Sequence, residues 1–409
     1  MFLSPAKKSL STIRVVSYNV LSPNLATPAS YPTLNPNHLD ATRRLDVVLQ
    51  KIEQEISHQR VIVCLQEVSY DWAGSLHTFF ANRGYHMVTG LYGKKFNGYM
   101  GVALAWPTAS FETLHVDISR LSDTREDGWP REDPEDEEEA KAAKKNAKPC
   151  FSLLSWLLPS TKNSSDKSMD EAPPINPWEY SERRFNVLLT ATLKEKESGN
   201  MFCVGNYHMP CAFYAPPVMT MHCDLAARRV QKLAQEQHPG NKGKSNQEDE
   251  QQREQSTSLP NKSLPYIVAG DWNIKPGDPA YKLLTTGNMS SDDPAYPAPA
   301  VSKYNEDKTL MMWKPTIHPM RSAYAICHGQ EPDFTNYAAP RTTLEGDECF
   351  IDTLDYVFLS PEWKVISTPE LPSREGVKGP FPNLDYREPS DHILISAKLE
   401  LDTRSVKKE

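Results

Sequence analysis

The sequence has no apolar run approaching the roughly 18 residues that a membrane-crossing helix needs. It also has no excess of basic residues: net charge is −8 and the pI about 5.8, so any phosphate-binding surface must be local or helped by metal ions. The seven cysteines form no CxxC pair and are odd in number, which argues against a disulfide framework or a thiolate zinc site and for reduced thiols inside a cell. No internal repeat is long enough for a solenoid. The first 14 residues are too short and polar for a secretory signal, and the few basic residues there make a poor mitochondrial presequence. These absences lead us to expect a cytoplasmic enzyme, monomeric, with no transmembrane segment.

What is present alternates between apolar runs and polar interruptions. Ile13–Val20 reads as a buried strand, and residues 40–56 read as an amphipathic helix with Leu45, Val48, Leu49, Ile52 and Ile56 on one face. Further strands are expected at 61–65, 86–91, 99–106, 111–118, 185–193, 201–207, 265–269, 353–359 and 392–401, with a helix over 217–235. Two stretches, 122–182 and 236–263, are rich in Glu, Gln, Lys, Ser and Pro, and are expected to be disordered insertions. Inside the first lies an apolar island, Cys150–Leu158, read as a helix docking on the domain's own surface or as an anchor for a protein or membrane-surface partner. The expected organisation is an extension over 1–12, one α/β domain over 13–401, and a tail over 402–409.

Five polar clusters sit at the ends of predicted strands: Ser17-Tyr18-Asn19, Gln66-Glu67, Asn206-Tyr207-His208, Gly270-Asp271-Trp272-Asn273 and Ser390-Asp391-His392. Strand ends are where loops converge and ligands bind in α/β sheets. Any one cluster reads equally well as a solvated rim or a turn. Five in one chain, all at strand ends, do not.

The ordered motifs Tyr18-Asn19-Val20-Leu21, Leu65-Gln66-Glu67-Val68, Asn206-x-His208, Gly270-Asp271-x-Asn273, Leu354-Asp355-Tyr356-Val357-Phe358 and Ser390-Asp391-His392 resemble the endonuclease/exonuclease/phosphatase superfamily. Phe334-Thr335-Asn336-Tyr337 adds a likeness to its RNA-acting branch, which holds the deadenylases, nocturnin, the angel proteins and the 2′,5′-phosphodiesterase. The resemblance implies a DNase-I-like four-layer αββα sandwich, with two mixed, mainly antiparallel sheets packed face to face. It implies a Mg²⁺-dependent phosphodiesterase, with Mn²⁺ able to substitute, acting on single-stranded, adenosine-rich RNA by 3′-exonuclease or 2′,5′-type cleavage. A nocturnin-like phosphatase acting on a small nucleotide, and a catalytically inactive RNA-binding or scaffold protein, are the alternatives.

Within that likeness Glu67 is the first choice as Mg²⁺ ligand, with Asn19 beside it. Asp271 is assigned to the attacking water, and Asn273 to the phosphate or that water. His208 and His392 are assigned to the non-bridging oxygens. Asp391 either fixes the His392 tautomer or ligates a second metal. Asp355 supports this network or is a buried carboxylate held by backbone amides. Phe334, Asn336, Phe350, Asn206 and Phe213 are the candidate substrate contacts, with Phe350 equally readable as ordinary core. Three positions depart from the family pattern: Asp352 stands where a glycine is usual, Phe213 where a proline is usual, and Trp272 where a smaller Phe, Leu or Thr is usual.

Overall fold

A computed structural model describes residues 12–130, 176–241, 262–301, 310–340 and 349–402. The first half of the chain lays down β1 (Thr12–Asn19), β2 (Val61–Val68), β3 (Tyr85–Leu91), β4 (Gly101–Pro107), β5 (Phe111–Arg120), β6 (Val187–Glu195) and β7 (Met201–His208). Then come β8 (Tyr266–Asp271), the short pair β9 (Ala300–Val301) and β10 (Leu310–Met311), and β11 (Arg321–Ser322). The chain closes with β12 (Asn336–Ala338), β13 (Phe350–Asp352), β14 (Asp355–Leu359), β15 (Trp363–Ser367) and β16 (Ile395–Leu401).

Two six-stranded sheets result, in the orders β15-β16-β1-β2-β4-β3 and β11-β14-β8-β7-β6-β5. Each is antiparallel except for one central parallel pair, β1/β2 in the first and β7/β8 in the second. The strands carry β-branched and aliphatic side chains on both faces, because both faces are covered. In β1, Ile13 and Val15 enter the core between the sheets with Ile62, Leu104, Leu189, Val204, Ile267 and Val357. Val16 and Tyr18 point the other way, onto the helices Ala41–Ile56 and Tyr70–Ala81, where Val48, Ile52, Leu76 and Phe80 are buried. The outer face of the second sheet is covered by the helix Pro216–Glu236 with Val218, Leu225, Ala226 and Val230. Helix, sheet, sheet, helix is the expected four-layer sandwich.

Local sequence sets the helix starts. The Asp40 carboxylate accepts from the Arg43 N–H (2.8 Å) and Ser69 caps the next helix at the Trp72 N–H. The polar stretch 122–182 is narrower than its composition suggests. Its first residues form a short 3-10 turn, and a helix spans Pro177–Glu182. The Ser122 hydroxyl donates to the Ser181 carbonyl (2.7 Å), and the Trp129 and Trp178 rings meet edge to face at 6.5 Å. Two tryptophans had enough apolar area to order both ends of a polar region. Likewise Pro239–Asn241 is a 3-10 turn within the second stretch. The remainder of both, the island Cys150–Leu158, and most of the extension and tail lie outside the described residues.

Candidate active site

The parallel pairs decide where the polar clusters meet. In β1/β2, Asn19 lies beside Gln66, and in β7/β8, His208 lies beside Asp271. Antiparallel β14 then sets Asp355 on the other side of Asp271. Parallel strands end on the same edge, so the two sheets each present a polar rim at one end of the sandwich.

Backbone irregularities aim the side chains. The register of β2 against β4 shifts between Leu65 and Val68, and Glu67 there adopts a left-handed φ of 57°. Asn273 is also left-handed, with φ 48°, and its N–H donates back to the Asp271 carboxylate (3.0 Å). Such conformations cost free energy and concentrate at functional sites. Gly270 is required by crowding: a Cβ there would sit 1.9 Å from the Tyr207 carbonyl oxygen of β7.

Three side chains gather on one oxygen, Asp271 Oδ2, and Glu67 joins them through Asn19 and His208. Asn19 Nδ2 donates to Asp271 Oδ2 (3.0 Å) and to Glu67 Oε1 (3.2 Å). His208 Nε2 lies 3.5 Å from Asp271 Oδ2 and 3.9 Å from Glu67 Oε1. His392 Nε2 lies 3.6 Å from the same Asp271 oxygen. Glu67 Oε2 accepts from the Ser22 N–H (3.0 Å). Among the described residues neither carboxylate has a lysine or arginine partner; beside the Asn19 amide, two imidazoles stand near them.

His392 is held by Asp355, through an Nδ1···Oδ2 contact of 2.8 Å. Burial alone would lower the imidazole pKa, but the Asp355 and Asp271 carboxylates outweigh it and hold His392 well above its ordinary value. Nδ1–H then donates to Asp355, and Nε2–H faces the site. Asp391 does not hold the His392 ring, which Asp355 does instead. Its carboxylate accepts from the Tyr31 hydroxyl (2.8 Å) and lies in the field of the buried Arg44 guanidinium, which donates to the carbonyls of Pro389 and Val20. Burial and Asp391 together raise the Tyr31 pKa, so that hydroxyl stays a donor.

Four other assignments change. Asn19 Oδ1 accepts from the Leu21 N–H (3.0 Å), so the amide turns its nitrogen, not its oxygen, to the carboxylates. It bridges Glu67 and Asp271 and offers no oxygen to a cation. Asn206 is fully buried and donates to the Leu65 and Ala103 carbonyls while accepting from Gln66; it stitches the two sheets and touches no open space. Phe334 is buried with Phe381 and Ile393, and Asn336 is buried and bridged to His392 through the backbone. The Phe334–Tyr337 segment therefore clamps the His392 strand end: the Ile393 N–H donates to Thr335 O and the Tyr337 N–H to Asp391 O. Thr335 Oγ1 accepts from the Leu354 and Asp355 N–H groups.

The remaining substrate candidates do meet at a rim. The rings of exposed Phe213 and half-buried Phe350 lie 6.0 Å apart, and Lys275 Nζ stands 5.4 Å over the Phe350 ring and 3.5 Å from Asp352. Asn273 Nδ2 is spent on the Met209 carbonyl (2.9 Å). Residues the sequence reading passed over include Ser22, Tyr31, Arg44, and Tyr92, whose hydroxyl meets His208 Nδ1 at 3.3 Å.

The donor set suits a hard divalent cation. Glu67 and Asp271 offer carboxylate oxygens that no lysine or arginine pairs with among the described residues, which is what Mg²⁺ or Mn²⁺ selects. Asp271, Asp355 and His392 also place one ligand atom each within 4.8 Å of one another. The Asp355–His392 hydrogen bond already occupies that pair, so Glu67 with Asp271 is the better carboxylate pair for an ion.

Two sheets back to back, with acids and imidazoles from both gathered at one end, make this a DNase-I-like sandwich. The chain belongs to the Endonuclease/Exonuclease/phosphatase family, whose model matches residues 16–392. Among curated relatives, the CCR4-Not complex 3'-5'-exoribonuclease subunit Ccr4 of Phaeosphaeria nodorum is 24% identical over 97% of this chain and 61% of its own length. Carbon catabolite repressor protein 4 homolog 4 of Arabidopsis thaliana is 33% identical over 33% of this chain and 27% of its own length. The chain thus spans about half the length of several curated relatives it matches. Among solved structures, ANGEL2, a 2',3'-cyclic phosphatase, superposes with TM-score 0.60 at 17% identity, covering 96% of both chains. The human Nocturnin catalytic domain superposes with TM-score 0.53 at 17% identity, covering 95% of this chain and 94% of its own. At those identities the structural likeness speaks for the fold alone.

Proposed function

We propose that this protein is a Mg²⁺-dependent phosphodiester hydrolase acting on nucleotide ends, in the manner of a 3′-exoribonuclease. The observation that carries the reading is the convergence of Asn19, His208 and His392 on one Asp271 oxygen, with Asn19 and His208 also facing Glu67, all supplied by strand ends of both sheets. The names of the curated relatives, exoribonuclease subunits, point the same way.

Glu67 and Asp271 would hold the ion, which when bound supplies positive charge against the phosphoryl oxygens. The chain's own groups do the rest. Asp271, held in place by Asn19 and the Asn273 N–H, accepts the proton of the attacking water. His392, kept charged and oriented by Asp355, donates Nε2–H to a non-bridging oxygen. His208, oriented through Tyr92, stands on the opposite side of Asp271 to donate to another. Phe350 and Phe213 give a terminal base a surface to stack on.

A second reading, a phosphatase acting on a small phosphorylated nucleotide, draws on Asp352. Its carboxylate beside the Phe350 ring, paired with Lys275, is a poor neighbour for the next phosphate of a long strand. Product analysis separates them. Purified protein with Mg²⁺ is given 3′,5′-oligo(A), 2′,5′-oligo(A), an oligonucleotide ending in 2′,3′-cyclic phosphate, single-stranded DNA and NADP. A metal-dependent ladder from oligo(A) supports the first reading, and inorganic phosphate from NADP alone supports the second. A folded protein that turns over none of them is a binder, and the hydrolase reading falls.

A further inference from the structure

Beside Glu67 the surface changes character. Tyr70, the first residue of its helix, is 71% exposed, and Phe96 and Tyr99 are 47% and 50% exposed. Lys94 and Lys95, in the same tight loop, are exposed, and among the described residues no carboxylate pairs with either. Isolated exposed rings are common; three in one patch with two lysines, on a chain of net charge −8, are not.

The patch is rigid and tied to the site. The Tyr70 N–H donates to the Gly98 carbonyl (2.9 Å), and the Tyr99 N–H to Lys94 O (3.0 Å). Asn97 is buried inside the loop, and its Oδ1 accepts from the Lys94 N–H (2.7 Å). Ser22 links loop and site directly: its hydroxyl donates to Asn97 O (2.9 Å) and its N–H to Glu67 Oε2 (3.0 Å). Tyr99 is held at φ 50°, a left-handed backbone that costs a bulky residue free energy, and half of it faces solvent.

We propose that Tyr70, Lys94, Lys95, Phe96 and Tyr99 form a binding surface for single-stranded nucleic acid running away from the Glu67 side of the active site. Every base has a π-face, so exposed rings interleaved with cations hold a single strand without reading its sequence. The lysines take the phosphates that the acidic remainder of the protein repels. The two tyrosines end in hydroxyls and the patch holds a single purely apolar ring, which suits bases and sugars better than acyl chains. The proposal rests on the reading that the site cleaves nucleotide phosphodiesters, and it makes a polynucleotide the substrate.

The test compares a 12-residue single strand with bis(p-nitrophenyl) phosphate, too small to reach the patch, using the full chain with Mg²⁺. If the wild-type protein hydrolyses neither, the catalytic reading has failed and the surface is judged by anisotropy binding of the labelled strand alone. The double variants Tyr70→Ser/Phe96→Ser and Lys94→Ala/Lys95→Ala are each expected to raise KM, or Kd, for the strand about tenfold or more. Hydrolysis of the small ester stays within about twofold of wild type and reports an intact fold. The lysine variant also flattens the salt dependence, and the ring variant does not. Wild-type KM or Kd for the strand in the ring variant overturns the proposal. So does loss of binding to phosphatidylserine vesicles in place of loss of strand binding, which would make the patch a membrane contact.

Discussion

Replacing Asp355 by Asn removes one charge and keeps the shape. In the native site the Asp355 carboxylate is buried, 2.8 Å from His392 Nδ1, and with Asp271 it holds the imidazole charged against the cost of burial. The amide offers either a neutral acceptor or a competing N–H, so both the charge of the ring and the orientation of Nε2–H are lost. Removing one preorganised donor from a phosphoryl or acyl transfer site costs about 3–4 kcal/mol, or about 10²–10³ in kcat. The comparison is Asp391→Asn, the residue next to His392 in the chain. Asp391 touches Tyr31 and not the imidazole, so the amide leaves that buried hydroxyl only a neutral acceptor and takes the negative charge away from buried Arg44, at about 1–3 kcal/mol of stability. Steady-state turnover of bis(p-nitrophenyl) phosphate and urea denaturation, run on both variants, separate the effects. Asp355→Asn should lose turnover with KM little changed, and Asp391→Asn should lose mainly stability. If Asp355→Asn kept turnover within about threefold of wild type, the positioning of His392 by Asp355 would be wrong.

Two further predictions concern the frame. His222 is buried between the Tyr207 hydroxyl and the Ser181 carbonyl, and burial lowers its pKa from 6.5 to about 3. The unfolded chain therefore binds one more proton than the native state between those values, and stability falls as the pH drops from about 6 to about 4, by about 2–3 kcal/mol. Urea titrations of His222→Gln, which can keep both hydrogen bonds, should lack this share of the acid loss; an identical pH profile would contradict it. Gly270→Ala places a methyl group 1.9 Å from the Tyr207 carbonyl oxygen and must part β7 from β8 beside Asp271. Thermal unfolding should show a loss of at least about 3 kcal/mol, and a wild-type melting temperature would mean the strands do not approach as described.

Much of the site is legible in the sequence because its residues end strands. Glu67, His208 and Asp271 each close an apolar run and His392 opens one, and two parallel pairs bring the closing ends to one edge. The errors came from contacts that chain proximity does not reveal. Asp391 adjoins His392 in sequence, yet Asp355 reaches it through the register of β14 against β8, which periodicity cannot give. The family likeness of Phe334–Tyr337 puts Phe334 in the groove, but its ring is buried in a small core of its own. Arg44 was readable: it lies four residues before Val48, on the buried face of its helix, where a cation needs carbonyl partners and finds them at Val20 and Pro389. The two tryptophans that order the ends of the first polar stretch were visible too, but were outweighed by the composition around them.

The central claim is that Glu67 and Asp271, brought together by Asn19, hold one divalent ion between the two sheets. Titration of Mn²⁺ into the apo protein, followed by electron paramagnetic resonance of the free ion, tests it without depending on turnover. Wild-type protein should take up Mn²⁺, and Glu67→Gln and Asp271→Asn should each abolish that uptake while melting as folded proteins. Unchanged Mn²⁺ uptake in both folded variants would show that these carboxylates do not bind the ion.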